Sequence, residues 1–153
     1  MRNVLLISAL IAGLSGCASN SPYGNYSAAP AAYNKTMASD TVAYLVTQYP
    51  PALTSLNVMQ PADDAYGNAL VTLLRGRGYS VKEYAPESSS KAQPAVKSVT
   101  APGVDLRYVV DSLAPAADLY RVTVTVAGRP ASRAYIPQKN GTVAAAGSWS
   151  RKE

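Results

Sequence analysis

The chain of 153 residues contains no histidine, no phenylalanine and one cysteine, Cys17. Without histidine, Ser-His-Asp and Cys-His nucleophilic arrangements are excluded, and so are histidine-based zinc sites. A lone cysteine cannot close an intrachain disulfide, so the fold has no covalent staple. Charged residues make up only 15% of the chain, and the 14 basic ones are scattered. No stretch therefore reads as a nucleic-acid arm. A Gly-rich phosphate loop is also missing. The longest apolar run, residues 4–14, falls well short of the roughly 20 residues that a membrane-spanning helix needs.

In place of phenylalanine the sequence uses 11 tyrosines. Tyrosine offers apolar area and a hydroxyl that needs a partner or water. That suits a small domain with a thin core, and it equally suits a surface half covered by another protein. The apolar run at the start has the anatomy of a secretory signal: Met1-Arg2, an apolar middle, then small residues. It ends in Leu14-Ser15-Gly16-Cys17, which resembles the bacterial lipobox. The resemblance implies cleavage between Gly16 and Cys17, a diacylglycerol on the Cys17 thiol and acylation of the new α-amine. Acyl chains contribute about 0.8 kcal/mol per buried methylene, and two or more give stable anchoring. Ala18, rather than Asp, follows the cysteine and favours the outer membrane. Without Arg2, thirteen basic residues remain against nine acidic ones, a mild positive excess.

Three regions are expected: a lipoprotein signal peptide at 1–16, a lipidated cysteine with a flexible tether at 17–37, and an α+β domain at 38–153. The tether reading rests on the Ser, Ala, Asn, Gly, Pro and Tyr content of 18–36, which has no period. Ser39 or Asp40 is expected to cap a first helix whose face is Val42, Leu45, Val46 and Tyr49, ended by Pro50-Pro51. Residues 55–59 form a strand candidate. Asp63 or Asp64 then starts a second helix with adjacent rows Ala65/Ala69/Leu73 and Tyr66/Leu70/Leu74, closed by Gly76 and Gly78. Residues 79–84 alternate as a strand does. The Pro/Ser-rich stretch 86–102 is expected to be a mobile or functional loop.

Beyond it the period becomes two. Leu106, Tyr108 and Val110 share one face; so do Tyr120, Val122, Val124 and Val126, with Arg121, Thr123 and Thr125 opposite. Turns are placed at Gly128-Arg129-Pro130 and Asn140-Gly141, with a last strand near 143–150. This predicts a two-layer α+β sandwich in the order α-β-α-β-β-β-β-β, two helices covering one face of a mainly antiparallel sheet.

Tests for chemistry give little. Ser88-Ser89-Ser90-Lys91 matches S-x-x-K, but in a Ser-rich loop with neither S-D-N nor K-T-G after it. Asp63-Asp64 most simply serve a helix N-terminus. Asp105 and Asp111 share a strand face but lie about 20 Å apart, too far for acid–base work on one bond. Arg75-Gly76-Arg77-Gly78 reads as a basic helix end. No catalytic, cofactor-binding or metal-binding residue is assigned, and no enzyme activity or small-molecule substrate is expected.

Four segments, YPPALTSLNVMQPADDAYGNALVTLLRGRGYSV (49–81), LRYVVD (106–111), LYRVTVTVAGRPASRAYIPQKNGT (119–142) and AGSWSRKE (146–153), resemble the conjugal transfer lipoprotein TrbH family. The Asp64-Ala65-Tyr66-Gly67 helix start and the Ser132-Arg133-Ala134-Tyr135 strand carry the resemblance most specifically. It implies a structural component of the mating-pair-formation apparatus of a conjugative type IV secretion system. The implied place is the periplasmic face of the outer membrane, held there by lipid. The implied partners are channel envelope proteins and copies of itself in a ring, with no direct contact to nucleic acid. By analogy the domain would be like the N0 domain of secretins. Arg107, Arg121, Arg133 and Tyr135 are the docking candidates, against a solvated polar face as the plainer reading. A regulator of a cell-wall enzyme and a surface-exclusion lipoprotein are the alternatives.

Overall fold

The computed structural model describes residues 21–85, 102–113 and 119–151. Its strands are β1 (Gly24–Asn25), β2 (Ser55–Val58), β3 (Ser80–Lys82), β4 (Val104–Ser112), β5 (Tyr120–Val126), β6 (Arg129–Pro137), β7 (Val143–Ala145) and β8 (Ser150–Arg151). The helices are α1 (Ala31–Gln48) and α2 (Ala65–Gly76). The α+β two-layer reading holds: one sheet, in the order β3-β2-β4-β5-β6-β7, carries both helices on one face.

Helix α2 forms where the sequence places it. Asp64 is its N-cap, accepting from the amides of Tyr66 and Gly67 at 2.9 Å each. The row Tyr66, Leu70 and Leu74 is fully buried. Gly78, at φ +88°, lets the chain leave the helix toward β3. Strands β4 and β5 alternate as expected and pair antiparallel in full register, Tyr108 opposite Val124 and Val110 opposite Val122. Their inward side chains, Leu106, Tyr108, Val110, Val122, Val124 and Val126, are the floor of the core.

Several details differ from expectation, within a sheet that is mainly antiparallel as expected. First, α1 begins at Ala31, not at Ser39 or Asp40, so its first turns occupy part of the stretch expected to be a tether. Asn34, Met37, Ala38 and Thr41 continue its buried seam toward the N-terminus. Second, β1 precedes it and pairs parallel with β4, Gly24 opposite Val109. Third, the sheet is mixed: β2 pairs parallel with both β3 and β4. The α2 crossover returns the chain in the same direction, which is what forces the parallel pair. Fourth, the β5–β6 turn is Ala127-Gly128, both at positive φ (51° and 74°), so Arg129 and Pro130 already lie in β6. The expected last strand near 143–150 is two short strands, β7 and β8, which cover successive parts of the β6 edge. The expected signal 1–16, Cys17 and the stretch 86–101 lie outside the described residues.

Candidate functional site

Two carboxylates tie the helical layer to the sheet, and each joint uses one of the two segments singled out in the sequence. The first is Asp64. One oxygen caps α2, while the other accepts the Tyr108 hydroxyl at 2.5 Å. Beside it the Tyr66 and Tyr108 rings meet at 5.0 Å, and the Tyr66 hydroxyl bonds Thr41 of α1 at 2.8 Å. Gly67 is required here: a Cβ at this position would run into the Tyr108 hydroxyl and come within 2.7 Å of the Ala62 Cα. The Asp-Ala-Tyr-Gly segment is thus a joint between α2, α1 and β4.

The second carboxylate is Asp40, in the middle of α1. The Arg133 guanidinium donates to both its oxygens at 2.9 Å, and the Tyr135 hydroxyl donates to one at 2.6 Å. Arg133 also donates through Nε to the Gly147 carbonyl at 2.8 Å. Sequence reading groups Arg133 and Tyr135 with Arg107 and Arg121 as docking residues. The structure separates them: Arg133 and Tyr135 face the helices and hold α1, whereas Arg107 and Arg121 lie on the opposite face, which carries no helix among the described residues. Burial pushes the hydroxyl pKa of Tyr66, Tyr108 and Tyr135 well above the ordinary tyrosine value, and the carboxylate acceptors add to this for Tyr108 and Tyr135. All three stay neutral hydrogen-bonding groups, with no tendency to act as bases.

A third polar element is Gln60. Its amide accepts from the Tyr108 N–H and donates to the Tyr108 carbonyl, both at 3.0 Å. It thereby continues the edge of β4 between β2, which ends at Val58, and β1, which pairs at Val109. The side chain replaces the missing residue of a strand and leaves neither backbone group of Tyr108 unpaired.

The face away from the helices carries Arg107, Val109 and Asp111 on β4, Arg121, Thr123 and Thr125 on β5, and Ser132, Ala134 and Ile136 on β6. Asp111 and Arg121 sit opposite each other and form a two-point ion pair at 2.5 and 3.1 Å. Thr123 and Ser132 bond across the strands at 2.8 Å. Asp105 and Asp111 share this side, and Asp111 is committed to Arg121. Arg75, at the end of α2, pairs with Glu83 at 2.6 Å. A shallow groove of about 650 Å³ lies beside the ends of β2 and β3, lined by Asn57, Met59, Lys82, Glu83, Tyr84 and Asp105 among others. Among the described residues no group of three or more acidic or cysteine side chains could hold a metal ion. Also among these residues, no helix is long and apolar enough to cross a membrane. Ser88 and Lys91 lie outside the described residues, as do Gly16 and Cys17.

The conjugal transfer protein TrbH family model matches residues 20–153. The chain belongs to the TrbH family. No curated protein and no solved structure matches it. Within this TrbH chain, the match takes in both carboxylate joints, Gln60 and the whole sheet. Sequence reading missed Asp40 as a joint because its partners are 93 and 95 residues away. It also missed Tyr23 and Tyr26, which are set within the stretch expected to be a tether.

Proposed function

We propose that this TrbH chain is a lipid-anchored, non-enzymatic building block of a conjugative type IV secretion apparatus, seated at the periplasmic face of the outer membrane. Membership of the conjugal transfer family is the observation that carries the reading. The Leu14-Ser15-Gly16-Cys17 sequence supports the anchor: removal of 1–16 leaves Cys17 to carry an S-diacylglycerol and an N-acyl chain. The carboxylate joints support a mechanical role, because Asp40 and Asp64 are spent on fixing one layer to the other. The domain docks onto envelope ring subunits. Strand β7, which pairs on one side only among the described residues, offers an edge suited to strand addition.

Affinity purification from envelopes of conjugating donor cells tests this, comparing wild type with Cys17→Ala. The reading expects channel subunits to co-purify with the wild-type chain, a mature mass carrying acyl chains at Cys17, and loss of both in the variant. A solitary protein in both preparations contradicts it.

A further inference from the structure

We propose that Tyr23, Tyr26 and Arg107 form a seat for phospholipid headgroups, which fixes how the anchored domain faces the bilayer. This rests on the lipid-anchor reading above. The observation behind it is how little chain separates Cys17 from the fold. Ser21 is already fixed: its hydroxyl accepts from the Tyr23 N–H at 3.3 Å, and its carbonyl accepts the Tyr26 hydroxyl. β1 follows directly and is locked to β4, with the Tyr26 N–H donating to the Val110 carbonyl at 2.7 Å. Four residue steps from Cys17 to Ser21 span at most about 14 Å. The headgroup layer of one leaflet is roughly 5–8 Å deep. The groups around Ser21 are therefore held within about 10 Å of the bilayer surface.

Their chemistry suits that place. Tyr26 is 59% exposed. The Arg107 guanidinium lies 5.4 Å from the centre of the Tyr23 ring, over its face. No described carboxylate lies within salt-bridge distance of Arg107, unlike Arg75, Arg121 and Arg133. Tyrosine rings settle at the headgroup level, with the ring toward the acyl chains and the hydroxyl toward water. An arginine beside them meets a phosphate, which it binds bidentately. The sheet then extends away from the membrane. From β1 to β7 there are four strand spacings, about 19 Å, which places the open β7 edge on the partner side.

The test uses full-length protein matured in cells and reconstituted in phosphatidylethanolamine–phosphatidylglycerol vesicles whose acyl chains carry bromine near the headgroup end. Native Trp149, stacked on Tyr44 of α1 at 4.6 Å, reports the helical side. A Tyr23→Trp, Trp149→Phe variant reports the seat. Mass spectrometry establishes the state of Cys17 first. The proposal expects loss of most emission from the tryptophan at position 23, little loss from Trp149, and reduced quenching at position 23 when Arg107→Gln is added with the far-UV circular dichroism unchanged. An unmodified Cys17 overturns the anchor and the seat together. A lipidated Cys17 with position 23 unquenched, or with both tryptophans quenched alike, overturns the seat and leaves the anchor standing.

Discussion

Tyr108 donates its hydroxyl to Asp64 at 2.5 Å, and the other oxygen of that carboxylate closes the first turn of α2. One side chain thus caps a helix and pins that helix to the central strand. Asp64→Ala removes the cap, at about 1 kcal/mol, and leaves the Tyr108 hydroxyl without its acceptor, at about 1–3 kcal/mol. Urea unfolding is expected to show a loss of roughly 2–4 kcal/mol with an unchanged slope. Asp64→Asn keeps an oxygen for the cap and is expected to fall between the variant and wild type. Equal midpoints for Asp64→Ala and wild type would contradict the joint.

Asp40 makes the second joint, and its energy is separable. The Asp40 and Arg133 side chains are 29% and 22% exposed, so solvent screens their pairing in part. The Tyr135 hydroxyl is buried and donates to the same carboxylate. A double-mutant cycle of Asp40→Ala with Tyr135→Phe is expected to give a coupling of about 1–2 kcal/mol. Additive single effects would mean that the hydroxyl finds water once Asp40 is gone.

How far the fold could be read in advance depended on whether a residue's partner is near in sequence. α2 was legible because its cap, its apolar rows and its glycine exit are all local. β4 and β5 were legible because alternation is local too. The start of α1 was not. Pro30 precedes it without a side-chain cap bond, and the buried seam there includes Asn34 and Thr41, which carry no hydrophobic period. Ser39 and Asp40 imitate a helix start, yet Asp40 is a mid-helix acid used by β6. Two-residue strands such as β1 have no period at all. Of the docking candidates, two were placed by a distant partner in the same way. In β6 the alternation is not clear from sequence; the register puts Arg133 opposite the buried Val122, so Arg133 and Tyr135 turn toward the helices and meet Asp40.

Gln60 is the clearest case of a polar residue with no sequence signal. It is 2% exposed and serves both backbone groups of Tyr108. Gln60→Leu fills similar space and leaves a buried N–H and a buried C=O unpaired. Each such group costs about 1–3 kcal/mol, so a loss of roughly 2–6 kcal/mol is expected, with the Tyr108 amide becoming the most accelerated site in β4 by hydrogen exchange. An exchange rate at Tyr108 that stays at the wild-type value would count against this role.

The three most deeply buried tyrosines dominate the behaviour in base, and burial raises the Tyr79 hydroxyl pKa as well. In the folded chain the pKa values of Tyr66, Tyr108 and Tyr135 all lie well above the ordinary value of 10.0. A raised folded pKa contributes stability that is complete below the unfolded pKa and is lost as pH climbs past it. Above pH 10 the unfolded chain releases protons that the folded chain keeps, so stability falls as pH rises. Each group removes about 1.4 kcal/mol per pH unit, and three together about 4. Against a typical total of 5–15 kcal/mol, cooperative unfolding is expected between about pH 11 and 13. Tyrosinate absorbance should therefore rise in two stages: exposed rings first, then the buried three together with the loss of far-UV circular dichroism. Complete ionisation of all the tyrosines near pH 10, with the dichroism intact, would rule out the buried hydroxyl network.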